Sequence, residues 1–261
     1  MSKQLTTQDV INHKKNAIRK LNSLLESYIN SGDVGLLKKA DLISYWLETY
    51  SNYISFETQF DSSRLIRYSR GNVVRVNFGF NVGKELGGLH LAVVLDNDNK
   101  QSADVITVLP LSSSNGKTIH ERSVDLGTEL YTKITAVQNK IILDLKAEVA
   151  ELNRIYEAFQ AALKNPNADS IDDSLSNAIN LQNELIGKIE SLNESIKRAE
   201  TNKFEISKLK SGSMAVTNQI TTVSKQRIYT PKKAEDFLYG ISLSTTAMEK
   251  INKKILELYA R

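Results

Sequence analysis

Two stretches rich in β-forming residues lie on either side of a long helical segment, and this arrangement constrains the fold most. Residues 70–126 contain short apolar runs bounded by Gly, Asn and Asp, and residues 208–228 contain a further run of the same kind. Short β-rich runs separated by turn residues are typical of strands in a small barrel. The pattern therefore predicts that the two stretches are halves of one small β-barrel.

The individual strands are predicted from their apolar and β-branched residues. Three runs in the first stretch, residues 73–78, 91–95 and 105–109, favour strands of this kind. In the second stretch, residues 213–223 favour one further strand. The first stretch is thus expected to supply three or four strands and the second to complete the barrel.

Helical periodicity marks the remaining parts of the chain. In residues 7–53 apolar side chains recur at helical spacing and are interrupted once, at Ser31-Gly32-Asp33, which predicts an N-terminal helical hairpin. An amphipathic helix is predicted near the C-terminus, with its apolar side chains at Ile241, Met248, Ile251, Ile255 and Leu258.

The segment between the two strand-rich stretches carries two series of apolar residues spaced by three and four. They are Ile142, Leu145, Val149, Leu152, Tyr156, Phe159 and Leu163, then Ile171, Leu175, Ala178, Leu185, Ile189, Leu192 and Ile196. Turn-forming residues at 165–170 separate the series, so an antiparallel coiled-coil hairpin is predicted. Each helix of about 30 residues would be roughly 45 Å long and would project beyond a small barrel. Burial of the two apolar series against each other explains this pattern fully. A function of the hairpin would therefore lie in its tip or on its outer face.

These elements together predict an α+β fold. Residues 1–66 form the N-terminal helical hairpin, residues 67–129 and 206–261 form the split barrel with its C-terminal helix, and residues 130–205 form the inserted coiled-coil hairpin. A chain of 261 residues with 41% hydrophobic residues is long enough to bury a substantial core.

Composition excludes several kinds of chemistry. The chain has no cysteine, which rules out disulfides, thiolate nucleophiles and cysteine-based metal sites. Its three histidines are far apart in the sequence, so neither a metal site nor a cofactor is expected. No stretch approaches the roughly 20 apolar residues of a membrane span, and the N-terminus has no apolar signal core, so the cytoplasm is the expected location. The net charge of +4 is compatible with a polyanionic partner.

Four strings occur in order along the strand-rich stretches: RGNVV at 70–74, GKELGGLHLAVVL at 83–95, LPLSSS at 109–114 and AVTNQITTVSKQRI at 215–228. Together they resemble the MazF/PemK family, the RNA-cutting toxins of type II toxin–antitoxin systems. The resemblance implies a MazF/PemK-like barrel of the SH3-like, CcdB type. It covers residues of about 70 to 126 and 208 to 260, and leaves the N-terminal helices and the insert unexplained.

The resemblance also implies an active site. Family members cut single-stranded RNA without a metal, with the ribose 2′-OH as the nucleophile. His90 stands where the family usually has an arginine, and Leu91 stands where a proline usually follows. A histidine with an ordinary pKa near 6.5 passes protons in either direction at cellular pH, so His90 is the predicted acid–base residue. The same departure would equally fit a lost active site, or a histidine that only bonds to the backbone.

Further residues receive roles from the same strings. Ser112 would hold the scissile phosphate and Glu85 would orient the reacting groups, although an ordinary polar turn and a solvated loop charge are the alternatives. The expected RNA-binding residues are Lys84, Ser113, Lys117, Gln219 and Arg227, with Lys225 adding charge on the same face. His120 is a secondary acid–base candidate or a surface-turn residue. Tyr68 and Phe80 are either base-stacking platforms or core residues.

The function that the resemblance implies is that of a toxin with sequence-specific, metal-independent endoribonuclease activity. Its partners would be single-stranded RNA, a cognate antitoxin and a second copy of the chain in a homodimer. One alternative is a catalytically inactive barrel that binds nucleic acid or protein, with the coiled coil as the contact element. Another is a toxin that acts on a protein target such as a topoisomerase, because fold analogy alone does not determine the target.

Overall fold

The computed structural model describes residues 5–114, 118–164 and 171–260, with the side chains of 171–174 excepted. It combines helices with one antiparallel sheet, which confirms the α+β class. Among the described residues, no helix is both long enough and apolar enough to cross a membrane.

Two helices of equal length form the N-terminal part of the chain. Helix α1 spans Thr7–Ile29 and α2 spans Val34–Phe56. The Thr6 side chain closes a capping box at the start of α1, and the Asp33 side chain accepts a hydrogen bond from the first turn of α2. Gly32 takes a φ of 72° between them, a conformation that favours glycine. The break therefore falls where the sequence predicts it.

The sheet has seven strands, which come from both strand-rich stretches. The strand order across the sheet is β4-β5-β3-β2-β1-β7. Strand β6 is additional to this order and pairs with β3. All the pairs are antiparallel, and β5, β6 and β7 join strands from the first stretch. The strands are β1 (Val73–Asn77), β2 (Leu89–Val94), β3 (Val105–Ser113), β4 (Ser123–Gly127), β5 (Ser213–Val216), β6 (Thr221–Ser224) and β7 (Ile228–Thr230).

The prediction of one continuous strand over residues 213–223 is wrong. A 3-10 turn, Thr217–Gln219, separates β5 from β6. The register explains the break: Leu111 pairs with Ala215 and Val108 with Thr221, so three steps along β3 correspond to six steps along the returning chain, and the 3-10 turn takes up the extra residues. The buried Thr217 side chain stabilises the turn by donating a hydrogen bond of 2.6 Å to the Arg122 carbonyl.

In the centre of the sheet both faces are buried, which is why β1, β2 and β3 contain consecutive buried apolar residues. One face packs with residues that precede β1 and with the side chains Val74, Val76, Phe78, Ala92, Val94, Ile106, Val108, Val223 and Ile228. The opposite face carries Val73, Val93, Leu109 and Leu111 and packs against α5, which spans Thr245–Tyr259. Ile251 of α5 is completely buried in this second cluster.

A long helical pair connects β4 to β5. Helix α3 spans Glu129–Lys164 and α4 spans Ile171–Ser207, and the predicted turn at 165–170 lies outside the described residues. The helices run antiparallel, since Gln138 near the start of α3 donates a hydrogen bond of 3.1 Å to the carbonyl of Ala199 near the end of α4.

The ends of this helical pair are set by the sheet. Strands β4 and β5 are neighbours, with Gly127 opposite Ser213, so a short turn would suffice to connect them. The pair replaces that turn without altering the sheet. Leu130 and Ile134, in the first turns of α3, belong to the core cluster that contains α5. The base of the pair is therefore part of the core beside the sheet.

The N-terminal helices contact the sheet region through Trp46 of α2. A Cβ atom added to Gly79, just after β1, would lie 2.6 Å from the Trp46 ring, so only glycine allows this close approach. The Arg227 guanidinium lies over the same ring, 5.3 Å from its centroid. Gly79 also takes a φ of 80°, which adds a conformational reason for glycine.

A Gly79→Ala substitution is expected to lower the free energy of unfolding by about 2–4 kcal/mol, because it combines a left-handed backbone with a clash against Trp46. Gly83→Ala is the matched control: Gly83 has a φ of 64°, but nothing lies within 4 Å of an added Cβ. The control should lose only about 1 kcal/mol. Urea unfolding followed by the fluorescence of the single tryptophan measures both values, and equal losses would contradict the proposed contact.

Candidate active site

His90 lies in β2, opposite Val76 of β1, and its side chain is half-buried. Burial lowers the pKa of His90, and the nearby Arg75 guanidinium lowers it further, while a hydrogen bond with the Gly87 backbone acts in the opposite direction. The imidazole is therefore predominantly neutral at pH 7, the form that accepts a proton.

The strand register brings Ser112 to His90. Ala92 of β2 pairs with Pro110 of β3, and continuing this antiparallel register by two residues places Ser112 beside His90. Both residues line a cavity of about 220 Å³, together with Ser113. A proton acceptor and two hydroxyl groups thus share one site.

The helical pair supplies the other walls of this cavity, which we call the histidine cavity. Tyr131 comes from the first turn of α3, Glu205 from the last turn of α4, and Lys208 and Lys210 from the segment that returns to β5. Since α4 ends beside the sheet, the insert contributes directly to the site that contains His90.

Arg75 also lines the histidine cavity, and the sequence analysis did not select it. It pairs with Glu205, and its guanidinium lies 5.7 Å from the centre of the Tyr229 ring. One sequence signal existed, because Arg75 is the only charged residue within the apolar run of β1. A charge inside such a strand indicates a specific partner or ligand.

A second and more polar cavity, of about 660 Å³, contains most of the other predicted residues. Lys84, Glu85, Gln219 and Arg227 line it, and so does Pro110. We call it the loop cavity. Strand β3 contributes to both cavities, since Pro110 lines the loop cavity and the next two residues, Leu111 and Ser112, line the histidine cavity.

Several of these side chains hold the loop itself. The Gln219 side chain accepts a hydrogen bond of 2.5 Å from the Leu86 backbone and donates one of 3.1 Å to the Lys84 carbonyl. The Glu85 carboxylate accepts a hydrogen bond of 3.4 Å from the Val82 backbone. Gln219 and Glu85 therefore have structural partners in addition to the roles predicted for them.

The paired glycines of the loop have a steric function. Gly88 donates a hydrogen bond of 2.6 Å to the Gly79 carbonyl, which closes the base of the loop. A Cβ atom on Gly87 would lie 2.7 Å from that same carbonyl oxygen, so the close approach requires glycine. The GG motif thus shapes the loop that leads into β2 and His90.

Two of the candidates selected from sequence, Lys225 and His120, lie elsewhere. Lys225 is fully buried and donates hydrogen bonds of 2.8 and 3.1 Å to the carbonyls of Lys100 and Gln101, so its predicted place on a surface for phosphate is wrong. Burial lowers the pKa of Lys225. His120 is exposed, accepts a hydrogen bond from the Arg122 backbone and lines neither cavity. Lys117 lies outside the described residues.

The two aromatic candidates differ from each other. Tyr68 is a core residue, buried to 1% exposure, and its hydroxyl donates a hydrogen bond of 2.7 Å to the Pro231 carbonyl. Burial raises the pKa of Tyr68 well above its ordinary value. Phe80 is half-buried and lines neither cavity. Neither ring presents a free stacking surface in these cavities.

Potential metal ligands are few around both cavities. His90 and Glu205 line the histidine cavity, and Glu85 lines the loop cavity. In the part of the chain that the structure describes, no three His, Cys, Asp or Glu side chains converge in a geometry that would hold a metal ion. The chemistry that the lining residues themselves supply is proton transfer and anion binding.

The lowered pKa of His90 predicts a pH dependence of stability. Below about pH 6.5 the unfolded chain binds a proton at this residue before the folded chain does, so the free energy of unfolding should fall as the pH decreases. His90→Gln should remove this contribution to the slope. Urea unfolding between about pH 5 and pH 7.5 measures it, with His13→Gln on the exposed surface of α1 as control. A His90→Gln slope equal to that of wild type would contradict the prediction.

Comparison with known proteins finds a family that part of the chain resembles. Residues 69–179 match the family model described as PemK-like, MazF-like toxin of type II toxin-antitoxin system. The match contains β1 to β4, α3 and the beginning of α4, while β5 to β7 pair into the same sheet from outside it. A sequence comparison with curated proteins finds no match. The match confirms the resemblance inferred from the four strings, and residues 69–179 are similar to the PemK-like, MazF-like toxins of type II toxin–antitoxin systems.

Proposed function

We propose that the protein is an endoribonuclease toxin that cuts single-stranded RNA at specific sequences without a metal ion. The observation that carries this proposal is the shared cavity of His90 and Ser112, in which a neutral imidazole and a hydroxyl group lie next to permanent cations. Proton transfer and phosphate stabilisation are the two requirements of RNA cleavage through the 2′-OH.

His90 would act as the base in this reaction. It takes the proton of the 2′-OH while the bond between the 2′-oxygen and phosphorus forms. The bond from phosphorus to the 5′-oxygen breaks, and that oxygen takes a proton from water in the half-open cavity. The products are a 2′,3′-cyclic phosphate and a 5′-hydroxyl. Ser112 would donate a hydrogen bond to a phosphate oxygen, and Ser113 offers a second hydroxyl beside it.

The loop cavity would hold the nucleotides that flank the cut. Lys84 and Arg227 supply positive charge there, and Glu85 and Gln219 supply acceptors and donors for base edges. Burial lowers the pKa of Arg227, but an arginine stays protonated at cellular pH. Strand β3 contributes residues to both cavities, so one RNA strand that follows the end of β3 would contact both. This arrangement would link base recognition to cleavage.

The family supplies the proposed partners. A cognate antitoxin would neutralise the protein, and two copies would form a homodimer, as the resemblance implies. The site of action would be the cytoplasm, where RNA substrates are available.

A binding function without catalysis is the second candidate, and one observation favours it. Glu205 at the end of α4 pairs with Arg75 inside the histidine cavity, so the insert partly fills the site. A barrel that still binds RNA but no longer cleaves it would not need an empty histidine cavity, so Glu205 could occupy part of the cavity without loss of function.

The decisive experiment is cleavage of a long defined RNA by purified protein in EDTA, with mapping of cut sites and end groups. Wild type is expected to give discrete cuts with cyclic phosphate ends. His90→Ala should lower the cleavage rate by about 10²–10⁴-fold, because it removes the general base. Ser112→Ala should lower it by about tenfold to a hundredfold, the loss of one hydrogen bond to a charged group.

His13→Ala is the matched control, since this histidine lies on the exposed surface of α1 and should leave cleavage unchanged. Intact RNA with retained RNA binding would favour the binding module over the enzyme. Intact RNA without binding would direct attention to a protein target.

A further inference from the structure

The insert brings a carboxylate into the histidine cavity. Glu205 lies in the last turn of α4 and its side chain pairs with Arg75, 130 residues earlier in the chain. Its second carboxylate oxygen lies 3.5 Å from the Lys208 ammonium. One negative group is thus held between two cations in the cavity that also contains His90 and Ser112.

The pair of Arg75 and Glu205 is poorly exposed to water. Their side chains are 20% and 19% exposed, so both charges have lost most of their solvation. Such a pair persists only if its partners compensate each other, because either charge alone would be costly in this position. When the carboxylate leaves, another anion is therefore needed beside Arg75.

Phosphate is the anion that fits this position. A guanidinium binds carboxylate and phosphate oxygens with the same bidentate geometry. Ser112 also lines the cavity and is a candidate donor for a phosphate oxygen, and the Arg75 guanidinium lies 5.7 Å from the centre of the Tyr229 ring. Arg75 is opposite Leu91 and His90 is opposite Val76, so the two side chains leave opposite faces of the sheet, although both residues line the histidine cavity. A phosphate on Arg75 would therefore lie in a cavity that the proposed base also lines.

We propose that Arg75 binds a backbone phosphate of the RNA and that Glu205, from the insert, occupies Arg75 while no RNA is bound. The identification of the ligand as RNA rests on the proposed function. Glu205 acts as an internal competitor, so RNA must displace it to reach the cavity. This gives the base of the helical insert a role in setting the affinity of the site.

The experiment measures binding of a fluorescein-labelled, 2′-O-methylated single-stranded RNA, which cannot be cleaved through its 2′ position, to the full chain. Glu205→Gln should tighten the Kd by about fivefold, because the competing charge is lost. The matched control is Glu200→Gln, which removes a negative charge from an exposed position of the same helix and should change the Kd less than about twofold.

Arg75→Gln should weaken binding by about tenfold or more. It should also lower the slope of log Kd against log salt by roughly 0.7, the value for one lost phosphate contact on a single strand. A residue that only stabilises the fold would not change this slope. In the Arg75→Gln background, Glu205→Gln should improve binding by less than about twofold, since the competition no longer exists.

The outcomes separate this inference from the proposed ribonuclease activity. If no form of the protein cleaves RNA but the binding pattern holds, the proposed catalysis fails and the role of Arg75 stands. If wild type cleaves RNA and Glu205→Gln binds like Glu200→Gln, the inference fails alone. An unchanged salt slope for Arg75→Gln, or no RNA binding by either wild type or Glu205→Gln, would also overturn it. Should Arg75→Gln fail to fold, the comparison of Glu205→Gln with Glu200→Gln still decides.

Discussion

The pairing of β3 with strands from both stretches of the chain is the constraint on which the rest of the structure depends. Its first half pairs with β6 and its second half with β5, and β2 lies along its other edge. Because β5 and β6 follow the insert, the sheet is complete only when both ends of the helical pair return to it. The alternating side chains of β3, such as Val108 and Leu109, also fill both core clusters.

The candidate site follows from the same strand. The end of β3 places Ser112 beside His90, and the residue before Leu111 faces the loop cavity, so one strand end serves both cavities. The insert begins and ends at β4 and β5, whose pairing fixes where α4 stops. This position brings Glu205 to Arg75. A connection that would otherwise need only a short turn therefore contributes residues to the candidate site.

The structure suggests a physical reason why the site could differ from the family pattern at His90. The resemblance places His90 where the family usually has an arginine, and a permanent cation is present one strand away at Arg75. The proton-transfer group and the charge-stabilising group are therefore separate residues in the arrangement that we propose. A group that titrates near neutrality suits proton transfer, whereas a guanidinium suits a fixed charge.

Sequence reasoning succeeded where a local pattern had a local cause. The break between α1 and α2 follows from the residues around Gly32, and the loop before β2 follows from Gly87 and Gly88. It failed for Lys225 because a polar residue in a β-rich run has no local signal for burial, and its partners are backbone carbonyls more than 120 residues away. The turn between β5 and β6 was missed because tertiary pairing, not propensity, interrupts the strand.

The sequence by itself determined the α+β class, the helical and strand periods and the family, since each depends on residues close together in the chain. Only the tertiary structure decided that His90 and Ser112 share a cavity with Arg75 and Glu205. The physical reason is that strand register and the docking of α4 set these distances. Both depend on the packing of the complete sheet, which no short segment encodes.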